Sequence, residues 1–147
     1  IFFFQASIEK VVALAVLMPI VASMGGNAGT QTLTVAVRAL ATKELTPTNA
    51  IKIIIKETFV GGINGIIFAL IVGIISAYWF NDNLLGIILA SAMIINLFIA
   101  GLVGTIIPIS LNKMNIDPAL ASGVILTTIT DVFGFLSFLG LASIFLI

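Results

Sequence analysis

The chain contains no cysteine and no histidine. Disulfides, thiolate nucleophiles, zinc-finger ligand sets and histidine-based triads are therefore excluded. Any metal ion must be held by oxygen, which favours hard cations such as magnesium or calcium. Charge is scarce as well. Only 8% of the 147 residues are Asp, Glu, Lys or Arg, against about 25% in an ordinary soluble domain. So few charges cannot cover a water-facing surface, which excludes a soluble globular enzyme and a disordered chain. Six basic and six acidic residues cancel, leaving no electrostatic footprint for a nucleic acid.

What is abundant is apolar: 61% of residues are hydrophobic and the mean hydropathy is +1.31. Four apolar runs lie near 10–40, 57–80, 84–112 and 118–147. Each exceeds the ~20 residues a spanning helix needs, and far exceeds the ~9–11 of a barrel strand. The reading is an all-α membrane protein, a polytopic helical bundle. Ile1 to Phe4 are already hydrophobic, with no charged segment or small-residue cleavage site before them, so they do not read as a signal peptide. They read as the end of a truncated first helix, expected from a longer protein.

The connections are informative. Thr46 before Pro47 predicts an N-cap with proline at the first helical position. Lys52 and Lys56 then mark a short interfacial helix near 47–56 that runs into the second apolar run at Glu57. Asn81, Asp82 and Asn83 predict a tight polar turn, and Asp117 a helix start at Pro118. Arg38, Lys43, Lys52, Lys56 and Lys113 fall at the two loops of one side, and Lys10 alone falls on the other. The positive-inside rule then places those two loops in the cytoplasm and the C-terminus outside. Gly61, Gly65, Ala69, Gly73 and Ala77, each four apart, predict a helix-packing seam, as do Ala92, Asn96, Ala100 and Gly104.

Two polar features interrupt the apolar runs. In the first, Asn27, Thr30, Gln31, Thr34 and Arg38 fall within about 100° of one another on a helical wheel. Such a stripe faces protein or water, not lipid. Gly25, Gly26 and Gly29 beside it allow close backbone approach, or unwinding that frees carbonyls. Interhelical hydrogen bonding and pore lining both remain open. In the last run Asp131 lies ~20 Å from one helix end and ~24 Å from the other. Burying it at mid-membrane costs at least ~2.5–3.5 kcal/mol, and such residues are functional by default. Thr127, Thr128 and Gly123 precede it. A structural partnership with Gln31, Asn96 or a lysine, a proton relay and a cation site are the three readings. One carboxylate among hydroxyls and carbonyls suits a cation that keeps its water, and magnesium dehydrates reluctantly.

The stretch from Met18-Pro19 through Gly25-Gly26-Asn27-Ala28-Gly29-Thr30-Gln31 resembles the second transmembrane helix of the MgtE family of magnesium channels and transporters. Asp117-Pro118-Ala119 and Thr127-Thr128-Ile-Thr-Asp131-Val-Phe-Gly134 resemble its fifth. The resemblance covers nearly the whole chain, so residues 1–147 read as an MgtE-like transmembrane domain. It implies a homodimer in the cell (inner) membrane with a pore at the subunit interface. It also implies cytoplasmic N-terminal and CBS gating domains, which this sequence does not contain. Asp131 matches the aspartate that recognises hydrated Mg2+, and Thr127 a position whose carbonyl faces that ion. Gly26, Asn27, Thr30 and Thr34 match the pore face. Gln31, Gly123 and Thr128 complete the expected lining. Members often carry asparagine where this chain has Thr30, and asparagine-proline where it has Gly123-Val124; a hydroxyl and a glycine can still line a wet pore. The expected function is conduction of hydrated Mg2+ into the cytoplasm, with Mn2+ or Co2+ as further passengers. The alternative is a proton- or sodium-coupled secondary transporter that uses Asp131 as its proton or ion site.

Overall fold

The computed structural model describes residues 2–46 and 48–145, with side chains throughout these except at 2–11, 119 and 120. The described residues form four helices and no strand: α1 (Phe2–Ala41), α2 (Ala50–Trp79), α3 (Asn83–Lys113) and α4 (Pro118–Phe145). All four contain a stretch long and apolar enough to cross a membrane. Pro19 and Pro108 lie inside α1 and α3 without ending them. Each removes a single backbone bond to the carbonyl four residues earlier.

Two boundaries differ from the sequence expectation. Phe2–Phe4 do not belong to a separate helix but continue into α1; nothing between Gln5 and Met18 is a glycine or proline that would break it. Ile1 lies outside the described residues. The segment around Lys52 and Lys56 is likewise the opening of α2 and not a helix of its own. Thr46 does not cap it. The Thr46 hydroxyl donates to Asn49 Oδ1 at 3.2 Å, and the Thr46 backbone N–H donates to the same oxygen at 2.7 Å. Asn49 Nδ2 closes the loop by donating to the Glu44 carbonyl at 2.9 Å. Half of a capping box thus forms one turn before the helix proper. Pro47 lies outside the described residues. The other two turns follow expectation. Asp82 caps α3 by accepting from the Leu85 N–H at 3.2 Å, and α4 starts at Pro118.

Helix α3 is central and packs against each of the other three. The contact with α2 is the predicted small-residue seam. Gly61, Gly65, Ala69 and Gly73 are all buried there. The helices approach so closely that a Cβ on Gly101 would lie 2.6 Å from the Glu57 carbonyl oxygen, and one on Gly86 2.6 Å from that of Gly73. Without a hydrophobic force between helices in lipid, such close backbone packing is what holds them together. The other side of α3 carries the second predicted seam and packs on α1, with Gly104 against the Gly29 carbonyl. Leu14, Leu17 and Val21 of α1, Leu89 and Met93 of α3 and Phe138 of α4 form the main core. Helix α1 therefore rests on α3, flanked by α4 on one side and α2 on the other.

Candidate cation site

The three glycines of α1 have different surroundings. A Cβ on Gly25 would collide with the Asn96 carboxamide, and one on Gly29 would lie 2.9 Å from Leu126 Cδ1. A Cβ on Gly26 would meet nothing within 4 Å. Gly25 and Gly29 are thus packing residues, whereas Gly26 belongs to the open face. The exposed side of α1 carries Ser23, Asn27, Thr30, Thr34 and Arg38. Ser23 extends the stripe by one turn and was legible as the polar residue four positions before Asn27.

On α4 the packed stripe is Ser122, Leu126, Thr130 and Gly134, all buried. Gly123, Thr127 and Asp131 each follow one of these residues and line its edge; Gly123 and Thr127 are exposed and Asp131 is half-buried. Thr128 is exposed and points further outward. Helices α1 and α4 run antiparallel, since Leu126 meets Gly29 while Gly134 meets Ala22. A helix turns 100° per residue, so residues that follow a facing pair in antiparallel helices project to the same side. Thr30 and Thr127 are those residues for the Gly29–Leu126 pair. One turn further along, Gly26 and Asp131 occupy the same two edges. The structure thus brings Gly26, Thr30, Gly123, Thr127 and Asp131 to one flank of the α1–α4 seam, with Asn27, Thr34 and Thr128 beside it.

Every threonine of this face directs its proton backward along its own helix. Thr30 donates to the Gly26 carbonyl at 2.7 Å and Thr34 to the Thr30 carbonyl at 2.8 Å. Thr127 donates to the Gly123 carbonyl at 2.9 Å and Thr128 to that of Val124 at 2.8 Å. A hydroxyl that has given its proton to the backbone keeps its lone pairs for outside. The face therefore presents acceptors, the arrangement that binds a cation or the waters of one. The Thr127 carbonyl accepts from the buried Thr130 hydroxyl at 3.1 Å, and Thr127 itself is exposed.

Asp131 makes no hydrogen bond or ion pair with another described residue. Asn96, a candidate partner by sequence, is fully buried and donates instead to the Val21 carbonyl at 2.9 Å. Gln31 lies on the other flank of α1, in a cleft with Glu57 and Asn64 of α2, and is not brought to Asp131. Among the described residues no three acidic side chains cluster to hold a metal ion. A single carboxylate cannot replace the hydration shell of a divalent cation, but it can bind that shell from outside.

The family model of the MgtE divalent cation transporters matches residues 18–141. The chain belongs to this family. It is 38% identical over 144 residues to the magnesium transporter MgtE of Bacillus subtilis, covering 98% of this chain and 32% of that protein. It is 35% identical over 144 residues to the magnesium transporter MgtE of Thermus thermophilus, covering 97% and 32%. The corresponding protein of Enterococcus faecalis is 34% identical over 143 residues, with 97% and 32% covered. The chain thus spans about a third of the length of these curated relatives. Within the family match lie both faces described above, the polar edge of α1 and that of α4.

Proposed function

We propose that this chain conducts hydrated Mg2+ across the membrane, through a pore that two copies form where their α1–α4 faces meet. The observation that carries the reading is the acceptor face itself: four hydroxyls turned back on their helices around a lone, unpartnered Asp131. A carboxylate at this depth is costly against lipid, and nothing among the described residues of the chain pairs with it. Helix α4 is also the least covered span, with 22% of its apolar window buried against 50% for α3. A second copy placed on this face would shelter the polar edge, pair two Asp131 carboxylates about one ion and leave the apolar faces of α2 to lipid.

The ion would keep its inner waters. Asp131 supplies charge, and the hydroxyls of Thr127, Thr128, Thr30 and Thr34 accept hydrogen bonds from those waters. Gly26 and Gly123 keep the passage wide, and Asn27 offers a carboxamide. No bond is made or broken in the protein. We take the Thr42–Asn49 and Met114–Asp117 connections as cytoplasmic, because Arg38, Lys43, Lys52, Lys56 and Lys113 lie in or beside them. An inside-negative potential then drives the ion inward with ~2.3 kcal/mol per charge per 100 mV, doubled for a divalent ion.

The test is uptake of Mg2+ into liposomes that contain the full-length protein and an internal Mg2+-sensitive dye. Asp131→Lys abolishes uptake and Asp131→Asn reduces it strongly, both with an unchanged melting temperature. Retained uptake by Asp131→Lys overturns the assignment. Flux that depends on a proton or sodium gradient overturns the channel in favour of a coupled transporter.

A further inference from the structure

The flank of α1 opposite the acceptor face carries a second polar group. Gln31 and Thr32 of α1 and Glu57 and Asn64 of α2 line one cleft of about 190 Å³, with Gly61 and Gly101 among its walls. This volume has room for water in front of the polar side chains. Glu57 lies about 10 Å into α2, and Gln31 about 15 Å before the end of α1, so the cleft is inside the helical layer and not at a loop. Glu57 and Asn64 are half-buried. Neither they nor Gln31 makes a hydrogen bond or ion pair with another described residue. Lys52 and Lys56, the nearest cations in sequence, do not line the cleft. The backbone beneath it is fixed, because the glycine seam holds the Glu57 carbonyl against Gly101 and the Leu97 carbonyl against Gly61.

We infer that this cleft is a second binding site for a hydrated divalent cation, complete within one copy of the chain and separate from Asp131. Glu57 provides the negative charge. The side-chain carbonyls of Gln31 and Asn64 and the Thr32 hydroxyl accept hydrogen bonds from the ion's waters. Magnesium favours such a site because it gives up water reluctantly and is commonly held through one or two carboxylates. The Glu57 carboxylate is half-buried beside two carboxamides and has no hydrogen-bond or ion-pair partner among the described residues. The inference rests on the proposed function only for the identity of the ion.

Mn2+ is the probe, because its spin-resonance signal falls when it binds and because it shares the octahedral oxygen preference of Mg2+. The 147-residue chain is titrated in detergent on an Asp131→Asn background, which removes the first site. One Mn2+ per chain should remain and be displaced by Mg2+. Adding Glu57→Gln should weaken that binding by at least about tenfold, as expected for loss of a charged partner. Gln31→Leu or Asn64→Leu should weaken it several-fold while leaving the charges untouched, and Glu44→Gln in the exposed loop should leave it unchanged. Absence of residual Mn2+ on the Asp131→Asn background overturns the inference, as does residual binding that ignores Glu57→Gln. Should Glu57→Gln not fold, Asn64→Leu carries the same decision. The pore reading fails by a different result, retained Mg2+ flux in Asp131→Lys, so the two are separable.

Discussion

The Asn96 carboxamide donates to the Val21 carbonyl at 2.9 Å, and it does so from the space that two glycines leave open. A Cβ on Gly25 would collide with its nitrogen, and one on Gly134 would lie 2.9 Å from the same atom. Asn96 thereby joins α1, α3 and α4 at the level of Asp131. Gly134 lies one turn beyond that carboxylate, and Gly25 adjoins Gly26. Gly25→Ala should therefore destabilise the protein by about 1–3 kcal/mol, the usual effect of overpacking. Asn96→Ala should open a cavity and lose the bond to Val21. The pair Gly25→Ala/Asn96→Ala should recover part of the loss, because the added methyl enters the space the carboxamide vacates. Thermal melts of the two single variants and the double variant in detergent measure this coupling; strict additivity would deny the contact.

Glycines of the bundle should differ in kind. Gly101→Ala forces a methyl into the Glu57 backbone at 2.6 Å, which no side-chain rotation relieves. Gly62→Ala meets only the Phe98 ring at 3.6 Å, and Gly26→Ala meets nothing within 4 Å. We expect Gly101→Ala to lower the melting temperature markedly and the other two to leave it unchanged. Gly26→Ala should nevertheless slow Mg2+ uptake, since its methyl projects into the proposed pore. A melting temperature lowered equally by all three would show that the α2–α3 seam has no special closeness.

Much of this architecture was legible in the sequence. Apolar runs longer than a spanning helix gave the four helices, and the four-residue spacing of small residues gave the α2–α3 seam. Proline at position 118 gave the start of α4. Asp131 stood out because a lone carboxylate in an apolar run has few inexpensive roles. Other features were hidden. A helical wheel placed Gln31 with Asn27 and Thr30, but it shows only angle, and the neighbours of α1 differ on its two flanks. Gln31 lies toward α2 and its companions toward α4. Asn64 escaped notice because its significance depends on Glu57, two turns away on the same helix, facing a cleft that exists only once α1 is in place. The Thr46 N-cap failed because α2 begins only at Ala50, with Asn49 in the cap position, a boundary that side-chain type alone does not decide.

The backward-bonded threonines yield a prediction about chemistry without charge. Thr127→Val and Thr30→Val keep the shape of the side chain and remove an acceptor from the face. Each hydroxyl is exposed, so its loss leaves no buried group unpaired. Stability should stay within about 0.5 kcal/mol, as for ordinary surface changes. Uptake of Mg2+ should fall by about two- to tenfold per variant, the equivalent of one hydrogen bond of ~0.5–1.5 kcal/mol. Thr127→Ser and Thr30→Ser should restore it, because serine repeats the same backward bond. Flux measurements on the four variants, normalised to protein inserted, decide the matter; equal flux in the valine and serine forms would remove the hydroxyls from the ion path.

The absence of cysteine from the chain makes the proposed pairing of copies directly measurable. Val124 is 75% exposed on α4 and Thr128 is exposed one turn beyond it, both on the outward side of the acceptor face. Ile67 of α2 is also exposed, but it lies on the apolar face assigned to lipid. A disulfide forms only where two Cα atoms approach within about 7 Å. Copper-catalysed oxidation of Val124→Cys or Thr128→Cys in membranes should therefore yield a covalent dimer at one or both positions, while Ile67→Cys stays monomeric. Mg2+ added before oxidation should alter the yield at α4 and not at α2, because only the α4 contact would surround the ion. Efficient cross-linking through Ile67→Cys, with none at α4, would place the interface between copies on α2. It would leave the Asp131 edge facing lipid, an arrangement the cost of a mid-membrane carboxylate argues against.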